Sequence, residues 1–184
     1  MKRITIPINE ATIESLYSGE AVLLSGTLYT ARDAAHARLT ASIAKGEPLP
    51  FELKDAVVYY VGPSPAKPGN PIGAAGPTTS YRMDAYSKIL IPFGLKIMIG
   101  KGQRTEEIKQ LIVKHKGIYF SATGGIAALI AKTVKSCELI AYPDLGPEAI
   151  YRLEVKDFPA IVAYDCHGND LFTTGLNKYQ KINN

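Results

Sequence analysis

Arg32 and His36 are the first residues along the chain whose types and spacing could do chemistry. Both lie in the run TARDAAHARL, whose composition is typical of a helix. Residues four apart share one face of a helix, so a guanidinium and an imidazole would be presented together. Arg binds carboxylates through paired hydrogen bonds, and His titrates near neutral pH. The alternative is an amphipathic helix with a solvated Arg and a packed His.

A second group of candidates lies in the run GPTTSYRMD, residues 76–84. A Gly-Pro turn followed by hydroxyl residues predicts a helix start, where unpaired backbone amides attract anions. Thr78 and Thr79 add hydroxyl groups, and Arg82 follows one turn later on the same face. The alternative is ordinary N-capping. The preceding loop, residues 62–77, contains five prolines, and a loop of this length favours a functional use.

Lys101 stands between two glycines at the end of an apolar segment. The glycines would let a ligand approach the backbone closely, although the Walker A motif for phosphate binding is absent. Residues 121–125, SATGG, form another strand-to-helix turn. Its amides could bind a carboxylate, or its glycines could permit close packing of a helix on the sheet.

These candidates together suit a small dianionic substrate. They provide two guanidiniums, one ammonium and paired hydroxyls, and guanidinium matches carboxylate geometry. The sequence shows no pair of acidic residues typical of glycosidases, no Ser-His-Asp or Cys-His nucleophile signature, and no H-E-x-x-H or EF-hand motif.

The candidate residues must be positioned by strands and helices, and the predicted strands and helices alternate along the chain. This alternation indicates an α/β fold, which we expect to form a single domain over residues 1–184. Strands are predicted at 21–29, 56–61, 96–99, 118–121, 139–141, 150–155 and 160–164. The first predicted helix begins after an N-cap at Thr30, with Asp33 as its capping-box partner, and ends at Gly46. Further helices are predicted over 78–90, from Thr105 to Gly117 and over 124–132, and a turn is predicted at 167–170.

The composition is that of an ordinary globular protein, with 46% hydrophobic and 21% charged residues and a formal net charge of +4. Because Lys and Arg are scattered, we expect no nucleic-acid binding. The longest apolar runs are far shorter than a bilayer-spanning segment, and the N-terminus lacks the apolar core of a secretory signal. We therefore expect a cytoplasmic protein that does not bind membranes.

Cys137 and Cys166 are the two cysteines of the chain. They are far apart in sequence and are not spaced as C-x-x-C, and two thiols alone cannot hold a cubane iron–sulfur cluster. We expect buried free thiols and no metal bound by this chain.

Six segments resemble a known family in order and spacing. They are ARDAAHARL, GPTTSYRMD, GKGQRTEEI, ATGGIAAL, DLGPEAIYRLEVKDFPA and HGND. They are similar to the C-terminal region of class I iron–sulfur fumarases and to the β subunits of two-subunit fumarases and of L-tartrate dehydratase. The resemblance covers nearly the whole chain.

This resemblance implies a fold, a cofactor and a partner. The fold would be a swivelling β/β/α three-layer domain that closes over a cluster-bearing α subunit in a hetero-oligomer. The [4Fe–4S] cluster would lie on that partner, with none bound by this chain. The reaction would be the reversible hydration of fumarate to (S)-malate by a hydro-lyase that needs both subunits.

The resemblance also implies roles for individual residues. Substrate binding would fall to Arg32, Thr79, Arg82 and Lys101, and Thr78 matches the family's proposed base. Because a threonine hydroxyl is a poor base, His36 could take the proton through Thr78 or act on its own. Both residues therefore stand as catalytic candidates.

Three alternative functions stay open at this point. The first is an L-tartrate dehydratase β subunit, whose site would accommodate one more hydroxyl on the substrate. The segments EAIYRLEVKDFPA and HGNDL, however, resemble the fumarases more closely. A carboxylate-binding module without catalysis would keep its ligand affinity when isolated. A purely structural subunit would tolerate charge removal at Arg82 and Lys101.

Overall fold

The computed structural model describes residues 1–179, in which strands and helices alternate along most of the chain. The strands are β1 (Lys2–Thr5), β2 (Ala21–Thr30), β3 (Val57–Tyr59), β4 (Ile97–Gly100), β5 (Ile118–Ser121), β6 (Val134–Ala141) and β7 (Ile150–Tyr164). The α-helices are α1 (Glu10–Glu14), α2 (Asp33–Lys45), α3 (Asp84–Leu90), α4 (Glu106–Lys114), α5 (Ala127–Thr133) and α6 (Leu171–Tyr179), with short 3-10 segments at Ser80–Met83, Gly124–Ile126 and Pro143–Glu148.

The strands form one sheet in the order β1-β2-β3-β4-β5-β7-β6. Strands β1 to β5 pair in parallel, whereas β7 runs antiparallel to β5 and β6. Strand β7 also pairs antiparallel with β2 over most of its length. This additional pairing closes β2, β3, β4, β5 and β7 into a barrel-like arrangement.

Alternation along the strands separates two hydrophobic cores. In β3, Val57 and Tyr59 belong to the core inside the closed sheet, whereas Val58 belongs to the core under the helices. The outer core also contains Leu39 of α2 and Ile112 of α4. Helices α2, α3 and α4 therefore cover the outer face of the parallel strands. Within residues 1–179, no helix is long and apolar enough to cross a bilayer.

The α/β class is confirmed, as a mixed α/β fold with a barrel-like sheet. The swivelling three-layer description stays a prediction. That the chain forms a single domain over residues 1–184 also stays a prediction, and the last five of these residues lie outside the described part of the chain.

The strands predicted at 21–29, 56–61, 96–99 and 118–121 are confirmed to within a few residues. The segments 150–155 and 160–164 were expected as two strands but form the single strand β7. Asp157 interrupts the apolar pattern there, with a positive φ of 54° and its amide donating to Ser25 Oγ at 3.0 Å. This irregularity coincides with a register shift against β2, so the chain bends without leaving the sheet.

The prediction of Thr30 as the N-cap of α2 is wrong. Thr30 is the last residue of β2, and its hydroxyl donates to the Ala149 carbonyl at 3.2 Å and accepts from the Tyr151 amide at 2.9 Å. Arg32 occupies the N-cap position. The helix still ends at Gly46, in the left-handed conformation that favours glycine.

The prediction of a helix over 78–90 is wrong at its start. Thr79 is extended, and it forms a parallel bridge with Lys101 before a 3-10 turn leads into α3. The chain therefore adds a short strand-like contact beside β4 where the sequence indicated a helix N-terminus.

A buried ion pair joins α3 to the segment before α4. Arg104 Nε donates to Asp84 Oδ1 at 2.5 Å, and the arginine side chain is 0% exposed. The second Asp84 oxygen accepts from the Thr105 amide at 2.7 Å, and Arg104 Nη2 donates to Ser87 Oγ at 2.8 Å. The guanidinium lies 5.4 Å from the Tyr60 ring centroid. A buried charge requires such partners, so this pair fixes α3 to the segment that precedes α4.

Asp84→Ala should lower the free energy of unfolding by about 3–5 kcal/mol, because it leaves the Arg104 guanidinium buried without its carboxylate. Urea denaturation at neutral pH measures the change. The matched control is Glu138→Ala, which breaks the exposed ion pair with Arg152 and should change stability by less than about 1 kcal/mol. Equal losses in the two variants would contradict this account of the buried pair.

Candidate functional site

The predicted site residues converge at one edge of the sheet. Strands β2, β3 and β4 are parallel neighbours, so their carboxyl ends meet at the same edge. The segment after β2 carries Arg32 and His36, the loop after β3 leads to Thr78 and Thr79, and Lys101 directly follows β4. In α/β folds, ligands commonly bind at the carboxyl ends of parallel strands.

Two guanidiniums meet at one carboxylate. Arg82 Nε donates to Asp33 Oδ1 at 3.0 Å, and Arg82 Nη2 lies 2.9 Å from Oδ2. Arg32 Nε donates to the same Oδ2 at 3.4 Å. Arg32 Nε also lies 3.3 Å from Glu148 Oε1. Asp33 therefore holds Arg32 and Arg82 side by side.

Thr78, Thr79 and Lys101 form a second, adjoining group. The Thr78 amide donates to the Tyr60 carbonyl at 2.6 Å, and the Lys101 amide donates to the Thr78 carbonyl at 3.3 Å. The backbone of Thr78 is therefore tied to both β3 and the end of β4. Thr78 and Thr79 are half-buried, whereas the Lys101 side chain is exposed and, within residues 1–179, makes no ion pair.

Arg82 connects the two groups, because it follows Thr79 within the short 3-10 turn Ser80–Met83. The structure thus brings Arg32, Thr78, Thr79, Arg82 and Lys101 together along one edge. Their roles in substrate binding and catalysis stay predictions.

The sequence predicted unpaired backbone amides that could bind an anion at the start of this helix, but the amides of residues 78 and 80 are both hydrogen-bonded. The Thr78 amide is engaged by Tyr60, and the Ser80 amide donates to the Lys101 carbonyl at 2.9 Å. An anion at this edge would therefore rely on the side chains rather than on these two amides.

His36 does not share an exposed helix face with Arg32, because Arg32 is extended at the N-cap and His36 is completely buried. Its Nδ1 lies 3.1 Å from the Arg32 carbonyl oxygen, and its ring packs edge-on against Tyr60 at 5.1 Å. In the described chain Nε2 has no hydrogen-bond partner. Burial lowers the pKa of His36 to about 4, so the imidazole is neutral at physiological pH. Complete burial argues against direct proton exchange with a substrate.

Buried hydroxyls support the second group from below. Tyr119 donates from its hydroxyl to Ser80 Oγ at 2.9 Å, and Ser80 Oγ accepts from the Lys101 amide at 3.1 Å. Gly100 makes this arrangement possible, since a Cβ atom there would lie 1.9 Å from Ser80 Oγ. The glycine before Lys101 is thus required by packing under the site.

The SATGG turn at residues 121–125 does not present all its amides. The Ala122 amide donates to the Gly100 carbonyl at 2.8 Å, which extends the pairing of β4 with β5. A Cβ atom at Gly125 would meet nothing within 4 Å, so close packing does not require that glycine.

The long loop after β3 packs against α5 and encloses a cavity of about 620 Å³. The Ala75 amide donates to the Ala127 carbonyl at 3.2 Å and joins the loop to the helix. The cavity is lined by small and apolar residues together with polar ones, among them Lys67 and Lys132. The loop that precedes Thr78 is therefore held in place by its contacts with α5.

Cys137 and Cys166 are both free and partly exposed, which corrects the expectation of buried thiols. Partial burial still raises the pKa of each thiol above its ordinary value. Over residues 1–179, no group of three or more His, Cys, Asp or Glu side chains is arranged to hold a metal ion. That this chain binds no iron–sulfur cluster, and that the cluster lies on a partner, both stay predictions.

Six residues that support the site were not identified as such from the sequence, where Asp33 was expected only as a capping-box partner. Asp33 and Glu148 contact the arginines, and the others lie beneath the site: Ser80, Asp84, Arg104 and Tyr119. Five of them fall inside or next to the family segments, yet their spacing alone does not distinguish them from surface polar residues. Their partners come from distant parts of the chain.

Gly100→Ala should lower the free energy of unfolding by about 1–3 kcal/mol, because its Cβ would force Ser80 away from Tyr119 and Lys101. Thermal unfolding measures the loss. The matched control is Gly175→Ala in α6, where a Cβ meets nothing within 4 Å and stability should change by less than about 1 kcal/mol. A Gly100→Ala variant as stable as the wild type would show that Ser80 is free to move.

The burial of His36 predicts a pH dependence of stability. Its pKa is about 4 in the folded chain, against about 6.5 when unfolded, so the unfolded state binds the proton more readily. The stability contributed by neutral His36 is therefore present above about pH 6.5 and is lost as the pH falls towards 4. The advantage of the wild type over His36→Gln should shrink by roughly 1–3 kcal/mol between pH 7 and 4.5, measured by urea unfolding. A difference that does not change with pH would contradict the buried neutral imidazole.

Comparison with known proteins identifies the family. The family described as "Fumarase C-terminus" matches residues 1–175. The anaerobic class I fumarate hydratase of Escherichia coli (strain K12) is 41% identical over 180 residues, which are 97% of this chain and 32% of the relative. Fumarate hydratase 2 of Leishmania major is 41% identical over 160 residues, covering 86% of this chain and 28% of the relative.

A relative of different length comes from Methanocaldococcus jannaschii and is assigned as the β subunit of L(+)-tartrate dehydratase. It is 36% identical over 183 residues, which are 96% of this chain and 94% of the relative. This chain thus spans about a third of the length of the two fumarases but nearly the whole β subunit. Because the family match extends over almost all of the described residues, this chain belongs to the Fumarase C-terminus family.

Proposed function

We propose that this chain is the β subunit of a two-subunit hydro-lyase, in which it binds a small dicarboxylate and takes part in proton transfer. The observation that carries the proposal is the meeting of Arg32, Arg82, Lys101 and the Thr78–Thr79 pair at one sheet edge. The family of fumarate hydratases and a tartrate dehydratase subunit supports the same reaction type, the addition or removal of water.

Arg32 and Arg82 would bind one substrate carboxylate. Guanidinium groups stay protonated at physiological pH and form paired hydrogen bonds with carboxylates. Asp33 contacts the Nε side of both arginines, and within residues 1–179 no hydrogen bond engages Nη1 or Nη2 of Arg32. These donors remain to meet an anion.

Lys101 would bind the second carboxylate and stabilise the negative charge that develops when the adjacent carbon loses a proton. Its exposed ammonium lacks an ion pair in the described chain, and its backbone is bridged to Thr79. The Thr79 hydroxyl would add a neutral hydrogen bond to the same substrate.

We assign the proton transfer to the Thr78 hydroxyl. Thr78 is partly exposed at the edge, and its backbone is fixed on both sides, whereas His36 is wholly buried. The nearby cationic side chains favour an alkoxide at this position, which offsets the weak basicity of threonine. His36 would act by holding the Arg32 carbonyl and hence the start of α2.

We place the iron–sulfur cluster of the proposal on the α subunit, because Cys137 and Cys166 alone provide too few thiolates to hold one. When bound there, the cluster would supply a Lewis acid for the substrate hydroxyl. This chain would orient the substrate's carboxylates and hold the proton at Thr78.

Closure over the partner is part of the proposal. Arg82 and Lys101 are exposed in this chain, and charges act strongly on a substrate only where water is excluded. A swivelling motion of this domain in the cytoplasmic hetero-oligomer would cover the edge with the α subunit.

Fumarate, hydrated to (S)-malate, is the substrate we favour. L-Tartrate is the second candidate, because the relative assigned as a tartrate dehydratase subunit matches this chain over nearly its whole length, as a separate subunit. Two carboxylates are common to both substrates, so the same cations serve either.

Anaerobic mixing of the full chain with its cluster-loaded α subunit should produce turnover of fumarate or L-tartrate, followed by absorbance or product analysis. The chain alone should be inactive. In the complex, Lys101→Ala and Thr78→Ala should each lower kcat/KM by about 100-fold or more, since each removes a group that acts on the reacting substrate.

Two matched variants control for nonspecific effects. Lys88→Ala removes an exposed ammonium on α3, and Thr133→Ala removes a hydroxyl that donates to Ile130; both should leave turnover near the wild-type value. Steady hydration by the isolated chain would refute the need for a partner. A wild-type complex that binds a dicarboxylate without turnover would instead support a carboxylate-binding module. Full activity after Lys101→Ala would support a structural subunit.

A further inference from the structure

Glu148 makes two contacts at the candidate site that the sequence did not suggest. It ends the 3-10 segment Pro143–Glu148, and its Oε2 accepts from the Ala34 amide at 2.9 Å, across 114 residues of sequence. Its Oε1 lies 3.3 Å from Arg32 Nε. One carboxylate therefore serves both the first turn of α2 and the arginine at its N-cap.

The Arg32 side chain is confined on several sides. A Cβ atom at Gly62 would lie 3.1 Å from Arg32 Cδ and 3.3 Å from its Nη1, so the backbone of Gly62 packs directly against the arginine. The same Cβ would lie 3.1 Å from the Pro147 carbonyl oxygen. Arg32 thus lies between the start of the long loop and the segment that carries Glu148, and its side chain is 25% exposed.

The segment that carries Glu148 is itself anchored. Arg38 Nη1 donates to Asp144 Oδ1 at 2.8 Å, and the Arg38 guanidinium lies 5.0 Å from the Tyr142 ring centroid. The Tyr151 hydroxyl donates to the Gly146 carbonyl at 3.0 Å. These contacts hold the segment against α2, so that Glu148 meets Arg32 in a fixed position rather than as a loose surface pair.

Both acidic contacts of Arg32 fall on Nε. Asp33 Oδ2 lies 3.4 Å and Glu148 Oε1 3.3 Å from that atom. Within residues 1–179 no hydrogen bond engages Nη1 or Nη2 of Arg32, so these two terminal nitrogens are available to form paired hydrogen bonds with a carboxylate. A charged residue that holds an arginine in a single orientation improves substrate binding by reducing the freedom lost on binding.

We infer that Glu148 is a positioning residue, which orients Arg32 so that its Nη edge receives a substrate carboxylate. This inference rests on the proposed function, since it assumes that Arg32 binds the dicarboxylate. Glu148 acts through Arg32 and does not itself touch the substrate. Its charge is the property that matters for Arg32, whereas the hydrogen bond to Ala34 needs only an acceptor oxygen.

Glu148→Gln separates the two contacts. The amide oxygen can still accept from Ala34, but the negative charge beside Arg32 is lost. In the complex with the cluster-loaded α subunit, this variant should raise KM for the dicarboxylate about tenfold and change kcat by less than about threefold. The melting temperature of the isolated variant should stay within a few degrees of the wild type, because the helix contact is retained.

Glu138→Gln is the matched control, because it removes a negative charge from an exposed contact with Arg152 that takes no part in holding Glu148 or Arg32. Its KM should equal that of the wild type. If the wild-type complex turns over neither fumarate nor L-tartrate, the proposed function fails. If the wild-type complex is active and Glu148→Gln has a normal KM, the positioning role alone is overturned.

Discussion

Pairing of β2 with β7 is the constraint on which the rest of the structure depends. The two strands run antiparallel, with Tyr29 opposite Arg152 and Ala21 opposite Ile161. The end of β2 therefore lies beside the start of β7. The segment that precedes β7 must therefore lie close to the segment that follows β2. As a result, Pro143–Glu148 packs against α2, near its first turn. The same pairing closes the sheet and separates the two cores.

The same geometry places two carboxylates beside the two arginines at the sheet edge. Asp33 and Glu148 neutralise much of the charge of Arg32 and Arg82 in the unliganded chain, so two arginines can lie side by side without strong repulsion. Their carboxylates engage mainly the Nε side, which fixes the guanidiniums without consuming all donors. Lys101 is different, because within the described residues its ammonium has no such partner. The edge thus combines two arginines oriented by ion pairs with one lysine that, in the described part of the chain, has no ion-pair partner.

The sequence predicts the parallel strands β2 to β5 to within a few residues because their apolar segments are short and flanked by turn residues, as in Ile97–Gly100 before Lys101. Strand β1 was not predicted, because in Lys2–Thr5 only Ile4 is apolar. Candidate cations at strand ends could be found for the same reason. Thr30 was misread because a local capping pattern cannot reveal that Ala149 and Tyr151 would take its hydroxyl. Glu148 and Arg104 were missed because their roles depend on partners that only the folded chain brings near.

His36 shows how burial changes the meaning of a residue whose type suggests catalysis. A histidine near a cationic edge is an attractive base when only its intrinsic pKa is known. Desolvation is the largest influence on its pKa and the neighbouring Arg104 charge adds to it, so the imidazole remains neutral. A neutral ring beneath Arg32 adds no further positive charge to a region that already holds Arg32, Arg82 and Lys101. Its contact with the Arg32 carbonyl fixes the start of α2, whereas Thr78 is partly exposed at the same edge. In the proposed function, acid–base chemistry at this edge would depend on the Thr78 hydroxyl, and His36 would contribute by holding the backbone of Arg32 in place.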